Sequence, residues 1–117
     1  LLQLCGGLLT SSRFDLRLEA ASMLEQISGF VVPEYDIDDL VSAMNSSLET
    51  SLDRSIIHHV VRSLKKMIVW MDRDQRQRST CQLLLSLVAL LNPEHKMYTE
   101  SLIHHILCIF AVISEDE

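Results

Sequence analysis

The stretch of sequence that decides the fold is SIIHHVV at residues 55–61, because it returns 46 positions later as SLIHHIL at residues 101–107. In the first copy, Ile57 and Val61 begin an apolar stripe that continues through Leu64 and has the spacing of one helix face. The 117 residues include only three Gly and two Pro, and 48% of them are apolar. Strand-rich folds need more turn residues than this, so the composition predicts helices throughout.

Working outward from this phrase, the pattern predicts six helices joined by short connectors. Ser12 and Asp15 form a capping-box pattern at the start of the second helix. Asn92 and Pro93 predict the start of the sixth, as an N-cap followed by Pro at the first helical position. Short connectors make neighbouring helices antiparallel. The expected helix pairs are residues 2–30, 34–71 and 74–114.

Each copy of the phrase falls in the second helix of a predicted pair, and a weaker match at a spacing of 40 relates residues 20–21 to residues 60–61. Spacings of about 40–47 residues, with one helix pair per unit, are typical of armadillo and HEAT arrays. The segment FDLRLEAASMLEQI at residues 14–27 resembles an inner helix of such repeats. The resemblance implies an all-α fold of three stacked antiparallel pairs in a right-handed superhelix. The alternative is a compact six-helix orthogonal bundle, in which the repeated phrase is a coincidence.

We expect residues 1–117 to form a single helical-repeat domain that is part of a larger protein, because the chain begins without Met and is apolar from its first residue. The net charge of −6 argues against general binding to nucleic acid or to an anionic membrane. The apolar run at residues 102–113 is shorter than a bilayer span. Three widely separated cysteines argue against a secreted disulfide framework, so we expect an intracellular protein in the cytoplasm or nucleus.

The sequence lacks a residue pattern that would support catalysis or metal binding. Adjacent histidines such as His58 and His59 diverge by about 100° on a helix, whereas helical zinc ligands are usually three or four residues apart. No nucleophile elbow, P-loop or dinucleotide fingerprint occurs. Cys81 and Cys108 lie in apolar helical contexts, which predicts buried thiols. The expectation is therefore a non-enzymatic protein with no metal and no cofactor.

Six of the ten basic residues lie between positions 62 and 78. Such a stripe forms either a solvated rim or a docking patch for an acidic or amphipathic segment of another protein. We expect a protein-binding scaffold, with contact to nucleic acid through the 62–78 rim as a weaker alternative, because aromatic residues are not interleaved with the basic ones. The candidate partner-binding residues are Arg62, Lys66, Trp70, Arg73 and Arg76.

A second hypothesis concerns the predicted sixth helix, which is apolar on nearly all sides. A helix of this kind needs neighbours all round. The hypothesis is an assembly module in which this helix packs on another copy or another subunit. The residues predicted to make that contact are Leu102, Ile106, Ile109, Phe110 and Ile113.

Overall fold

The computed structural model of the protein describes residues 2–29 and 37–115. These residues form six α-helices and contain no strand, so the predicted all-α fold is confirmed. Residues 30 and 34–36 of the predicted helix pairs lie outside the described residues. The helices are α1 (Leu2–Leu9), α2 (Phe14–Ile27), α3 (Asp38–Thr50), α4 (Arg54–Trp70), α5 (Arg73–Leu90) and α6 (Glu100–Ser114).

The helices pack in two layers. In one layer α3 lies between α1 and α5, and in the other α4 lies between α2 and α6. Across the layers α1 contacts α2, α3 contacts α4, and α5 contacts α6. The molecule measures 37 × 34 × 20 Å, and its smallest dimension suits two layers of helices packed about 8–10 Å apart. Each of the first four helices therefore packs on the helix two places later in the chain.

The two copies of the repeated phrase occupy the same position in their helices. Asp53 caps α4, and its side chain accepts a 3.0 Å hydrogen bond from the backbone N–H of Ile56. Thr99 caps α6, and its hydroxyl accepts a 3.1 Å hydrogen bond from the N–H of Leu102. Such caps satisfy N–H groups that the first turn of a helix leaves free. The two caps are also 46 positions apart, so the two copies of the phrase begin their helices in the same way.

One predicted helix start and one predicted cap are wrong. The helix α6 begins at Glu100 rather than at Asn92 and Pro93, because the Asn92 side chain accepts from the N–H of Glu94 and closes a local turn. The predicted capping box of the second helix is also absent. Arg13 holds the N-cap position of α2 without a side-chain cap, and its guanidinium pairs with Asp15 at 2.7 Å.

The apolar core is densest along α4. This helix is covered by α2 on one side, by α6 on the other and by α3 behind. Seven of its apolar side chains are at most 1% exposed: Ile56, Ile57, Val60, Val61, Leu64, Met67 and Ile68. This burial leaves one narrow face of α4 in contact with solvent, and that face is polar apart from Val69.

Candidate protein-binding surface

The solvent-facing side of α4 carries the candidate site. His58, Arg62, Lys65 and Val69 recur at intervals of three and four residues and so lie along one ridge. Arg62 and Lys65 are half-buried, whereas Val69 is 69% exposed. The segment Arg54–Trp70 contains two Arg, two Lys and two His but no Asp or Glu. We call this ridge, together with His59 and Lys66, the basic α4 surface.

Glu25 of α2 holds one side of the basic α4 surface. Its Oε1 lies 2.9 Å from His59 Nδ1 and 2.9 Å from Arg62 Nε. The Arg62 Nε is buried and makes no directed hydrogen bond to any described residue, so charge attraction rather than bond geometry holds this contact. Lys66 Nζ donates to the backbone carbonyl of Glu25 at 2.9 Å. These contacts fix three basic side chains along the boundary between α2 and α4.

The other side of the basic α4 surface is held by α6. His58 Nε2 lies 3.2 Å from the Thr99 hydroxyl, and Lys65 Nζ lies 3.3 Å from His105 Nδ1. Burial lowers the pKa of His58, and the nearby Arg62 lowers it further. Burial likewise lowers the pKa of His105, with Lys65 as the next cause. Neutral His105 therefore accepts from the Lys65 ammonium, and positive charge stays concentrated on the lysine and arginine side chains.

The structure divides the five predicted contact residues between two places. Arg62, Lys66 and Trp70 follow the boundary between α2 and α4, where the indole N–H of Trp70 donates to the carbonyl of Ser28 at 2.7 Å. Arg73 is exposed in the first turn of α5.

Arg76 lies under the end of α4 and donates to the carbonyl of Met71 at 2.7 Å. Arg78 turns away toward α3, where its Nε lies 3.4 Å from an Asp38 carboxylate oxygen. The predicted rim is therefore continuous along α4 and splits at α5. Whether its residues contact a partner stays a prediction.

Two predictions about buried and exposed residues need correction. Leu102 and Ile106 are 0% exposed, as is Ile109, so these residues of the proposed self-association surface face the core and are closed to a partner. Phe110 and Ile113 are half-buried against that core. The predicted burial of Cys81 is also wrong, because its thiol lies on the exposed side of α5, and Cys108 is half-buried with its Sγ 3.9 Å from His104 Nε2. Helical context gave no indication of which side of α5 and α6 faces outward.

The described residues also line two open grooves outside the basic α4 surface. One, of about 520 Å³, lies between α1 and α3, over Gly6 and Ala43. The other, of about 530 Å³, lies near the start of α4 and is lined by Phe14, Arg17 and Asp53 among others. Within residues 2–29 and 37–115, no group of three or more His, Cys, Asp or Glu side chains is placed to hold a metal ion. No helix in the same residues has both the length and the apolar character to cross a membrane.

Sequence reasoning missed Glu25 and Val69. Glu25 is 34 positions from its partner His59, so no local spacing joins them. Val69 is exposed, although apolar helix residues usually face inward. The sequence signal for its exposure is its helical spacing from Arg62 and Lys65. Comparisons of the chain with models of protein families, with curated proteins and with solved structures found no match.

Proposed function

We propose that this protein is a non-catalytic scaffold of armadillo/HEAT-type helix pairs that binds an acidic, amphipathic segment of another protein along the basic α4 surface. The observation that carries the proposal is the composition of this surface. A helix with four basic residues and no acidic one lies centrally in a chain whose net charge is −6. Such a local reversal of sign favours a partner of opposite charge.

The arrangement of the helices supports the repeat part of the proposal. In helical arrays each helix packs on its equivalent in the next unit, which generates two layers. The contacts α2–α4–α6 and α1–α3–α5 have this order. A bundle wrapped around one centre has no reason to place equivalent caps such as Asp53 and Thr99 on neighbouring helices of one layer.

The geometry of the surface suggests how a segment would bind. The ammonium groups of Lys65, beside His105, and of Lys66, at the Glu25 carbonyl, would attract carboxylates, while Val69 offers an apolar contact at the same end of the helix. Arg62 is held in place by Glu25, so it loses little side-chain entropy on binding. A segment with Glu or Asp on one side and Leu on the other would satisfy both the charged and the apolar parts of the ridge.

A matched pair of double variants tests the proposal. Lys65→Gln/Lys66→Gln removes two charges from the surface, and Arg13→Gln/Lys96→Gln removes two exposed charges elsewhere. The probe is a labelled synthetic helix with Glu along one face and Leu along the other, and affinity is measured by fluorescence anisotropy at low salt. We expect the first variant to bind about three- to tenfold more weakly than the wild type, and the second to bind like the wild type.

Two further probes make the test selective. A peptide of the same pattern with Lys in place of Glu should not bind, because its charge matches that of the surface. A single-stranded oligonucleotide tests the alternative of nucleic-acid contact, which predicts binding with a steep salt dependence. Tighter binding of the oligonucleotide than of the acidic helix, or equal losses in the two double variants, would contradict the proposed function.

A further inference from the structure

An apolar strip remains uncovered at the end of the stack, where α5 and α6 have no further helix beside them among the described residues. Leu107 on α6 is 54% exposed, and Leu84 and Val88 on α5 are 43% and 50% exposed. Ile103 and Phe110 of α6 are half-buried and flank Leu107 at helical spacing. We call these five residues the end face.

The register of the repeat shows what kind of neighbour this strip is built for. Ile103, Leu107 and Phe110 stand 46 positions after Ile57, Val61 and Leu64. The α4 residues of this set are at most 1% exposed.

These three α4 residues are buried because α6 lies against that side of α4. There Leu64 faces Ile109 and Ile113 across a small gap, which is also lined by Leu83 and Leu87 of α5. The equivalent side of α6 carries apolar residues too, but no helix among the described residues covers it. Its natural neighbour is therefore another pair of helices with an apolar edge.

The opposite end of the stack is more polar. On α2, Asp15, Glu19 and Gln26 are exposed, and Met23, which lies between Glu19 and Gln26 at helical spacing, is 43% exposed. Head-to-tail stacking of two copies would bury these polar groups against Leu107 and its neighbours, at a cost in desolvation. The more uniformly apolar edge that a second copy can supply is its own end face. A contact of one patch with the same patch is the two-fold arrangement of most homodimers.

We propose that the end face binds the end face of a second copy of this chain, giving a closed two-fold dimer. The face extends along α6, about 22 Å for fifteen residues, and across the 20 Å thickness of the molecule. Each copy would bury on the order of 500 Å², or about 1,000 Å² for the pair, which reaches the lower limit of specific interfaces. Leu107 would be the central contact, and the basic α4 surface would stay free in the dimer.

The test compares Leu107→Asp with a matched control, Leu85→Asp. Leu85 is 83% exposed on α5 but lies toward α3, beside Leu48 and Glu49, and so outside the end face. Mass is measured by sedimentation equilibrium from the low to the high micromolar range, and circular dichroism checks that each variant is folded. We expect the wild type and Leu85→Asp to pass from one chain mass to two with the same midpoint, and Leu107→Asp to need at least about tenfold more protein.

Leu84→Asp, on the α5 side of the face, provides a second variant with the same expected weakening. A wild type that stays monomeric at every concentration overturns the proposal, and the end face then belongs to a different protein or to other helices of a longer polypeptide. Equal dimerisation of Leu107→Asp, Leu84→Asp and Leu85→Asp overturns it too, because the contact would lie elsewhere. Growth beyond two chains would exclude a closed two-fold contact.

Discussion

Glu25 of α2 and His59 of α4 meet at 2.9 Å, between Oε1 and Nδ1, at the centre of the boundary between the two helices. The same carboxylate oxygen lies 2.9 Å from Arg62 Nε, and the backbone carbonyl of Glu25 accepts from Lys66. One residue of α2 therefore positions three basic side chains of α4. The surface that we propose as the site for an acidic partner is in this way connected to the packing of the helices beneath it.

The first prediction concerns the stability that Glu25 provides. Glu25→Ala removes the counter-charge of half-buried Arg62, so we expect the free energy of unfolding to fall by about 1–2 kcal/mol. The measurement is urea denaturation followed by circular dichroism. Glu19→Ala, an exposed position on the same helix, is the control and should change stability by less than about 0.5 kcal/mol. Equal losses in the two variants would show that the Glu25 contacts contribute nothing beyond helix propensity.

The second prediction concerns pH. Burial, with Arg62 and Lys65 nearby, lowers the pKa of His58 and of His105 in the folded chain. The unfolded chain then binds more protons than the folded chain near the ordinary histidine pKa of about 6.5. The stability that these histidines contribute is present above that pH and is lost as the pH falls below it.

Urea midpoints recorded from about pH 7.5 down to about pH 5.5 check this prediction. We expect the wild type to lose stability on acidification, and His58→Gln/His105→Gln to lose less over the same range. A double variant with the same pH profile as the wild type would show that the two histidines do not contribute to it.

The third prediction separates the cap that α6 uses from the one that its sequence suggests. Thr99→Ala removes the hydroxyl that accepts from Leu102 N–H and that contacts His58, so we expect a loss of about 1 kcal/mol. Asn92→Ala removes a hydrogen bond within a surface turn and should cost less than half as much. Thermal melts of the two variants decide between them, and a larger loss in Asn92→Ala would go against the assigned helix start.

Local patterns in the sequence predicted the six helices, but they misplaced the start of α6, where two such patterns competed. Asn92 and Pro93 favour a helix start, but Asn92 equally favours a turn, and the chain uses it for the turn. The start of α6 is set instead by Thr99, whose hydroxyl also contacts His58 of α4. That second contact is tertiary, and the residues around Thr99 in the sequence do not reveal it.

The candidate site could be predicted only in part, because it too depends on contacts between helices. A charge count along the chain found Arg62 and Lys66, because basic residues close together on one helix share a face. It could not find Glu25, which comes from another helix, nor Val69, whose exposure depends on the absence of a neighbour. The repeated phrase located equivalent positions in α4 and α6, but it did not show that Leu102 and Ile106 face the core.

The fourth prediction ranks the three cysteines by reactivity. Cys81 is exposed and Cys108 is half-buried, whereas Cys5 is buried and burial raises its pKa. The thiolate is the reactive form, so we expect iodoacetamide at mildly alkaline pH to modify Cys81 first and Cys5 last. Mass spectrometry of tryptic peptides over time gives the order, and Cys81→Ser should remove the fastest phase. Modification of Cys5 before Cys81 in the native protein would contradict the packing of α1.

The fifth prediction tests whether equivalent positions in α4 and α6 differ because one is covered. Val61 is 0% exposed and Leu107, 46 positions later, is 54% exposed. Val61→Ala leaves a cavity between α4 and α6 and should cost about 2 kcal/mol, whereas Leu107→Ala should cost less than about 0.5 kcal/mol although it removes more carbon atoms. Urea denaturation at low protein concentration, where any dimer is dissociated, gives both values. If Leu107→Ala cost as much as Val61→Ala, that side of α6 would already be packed within one chain, and no second copy would be needed to cover it.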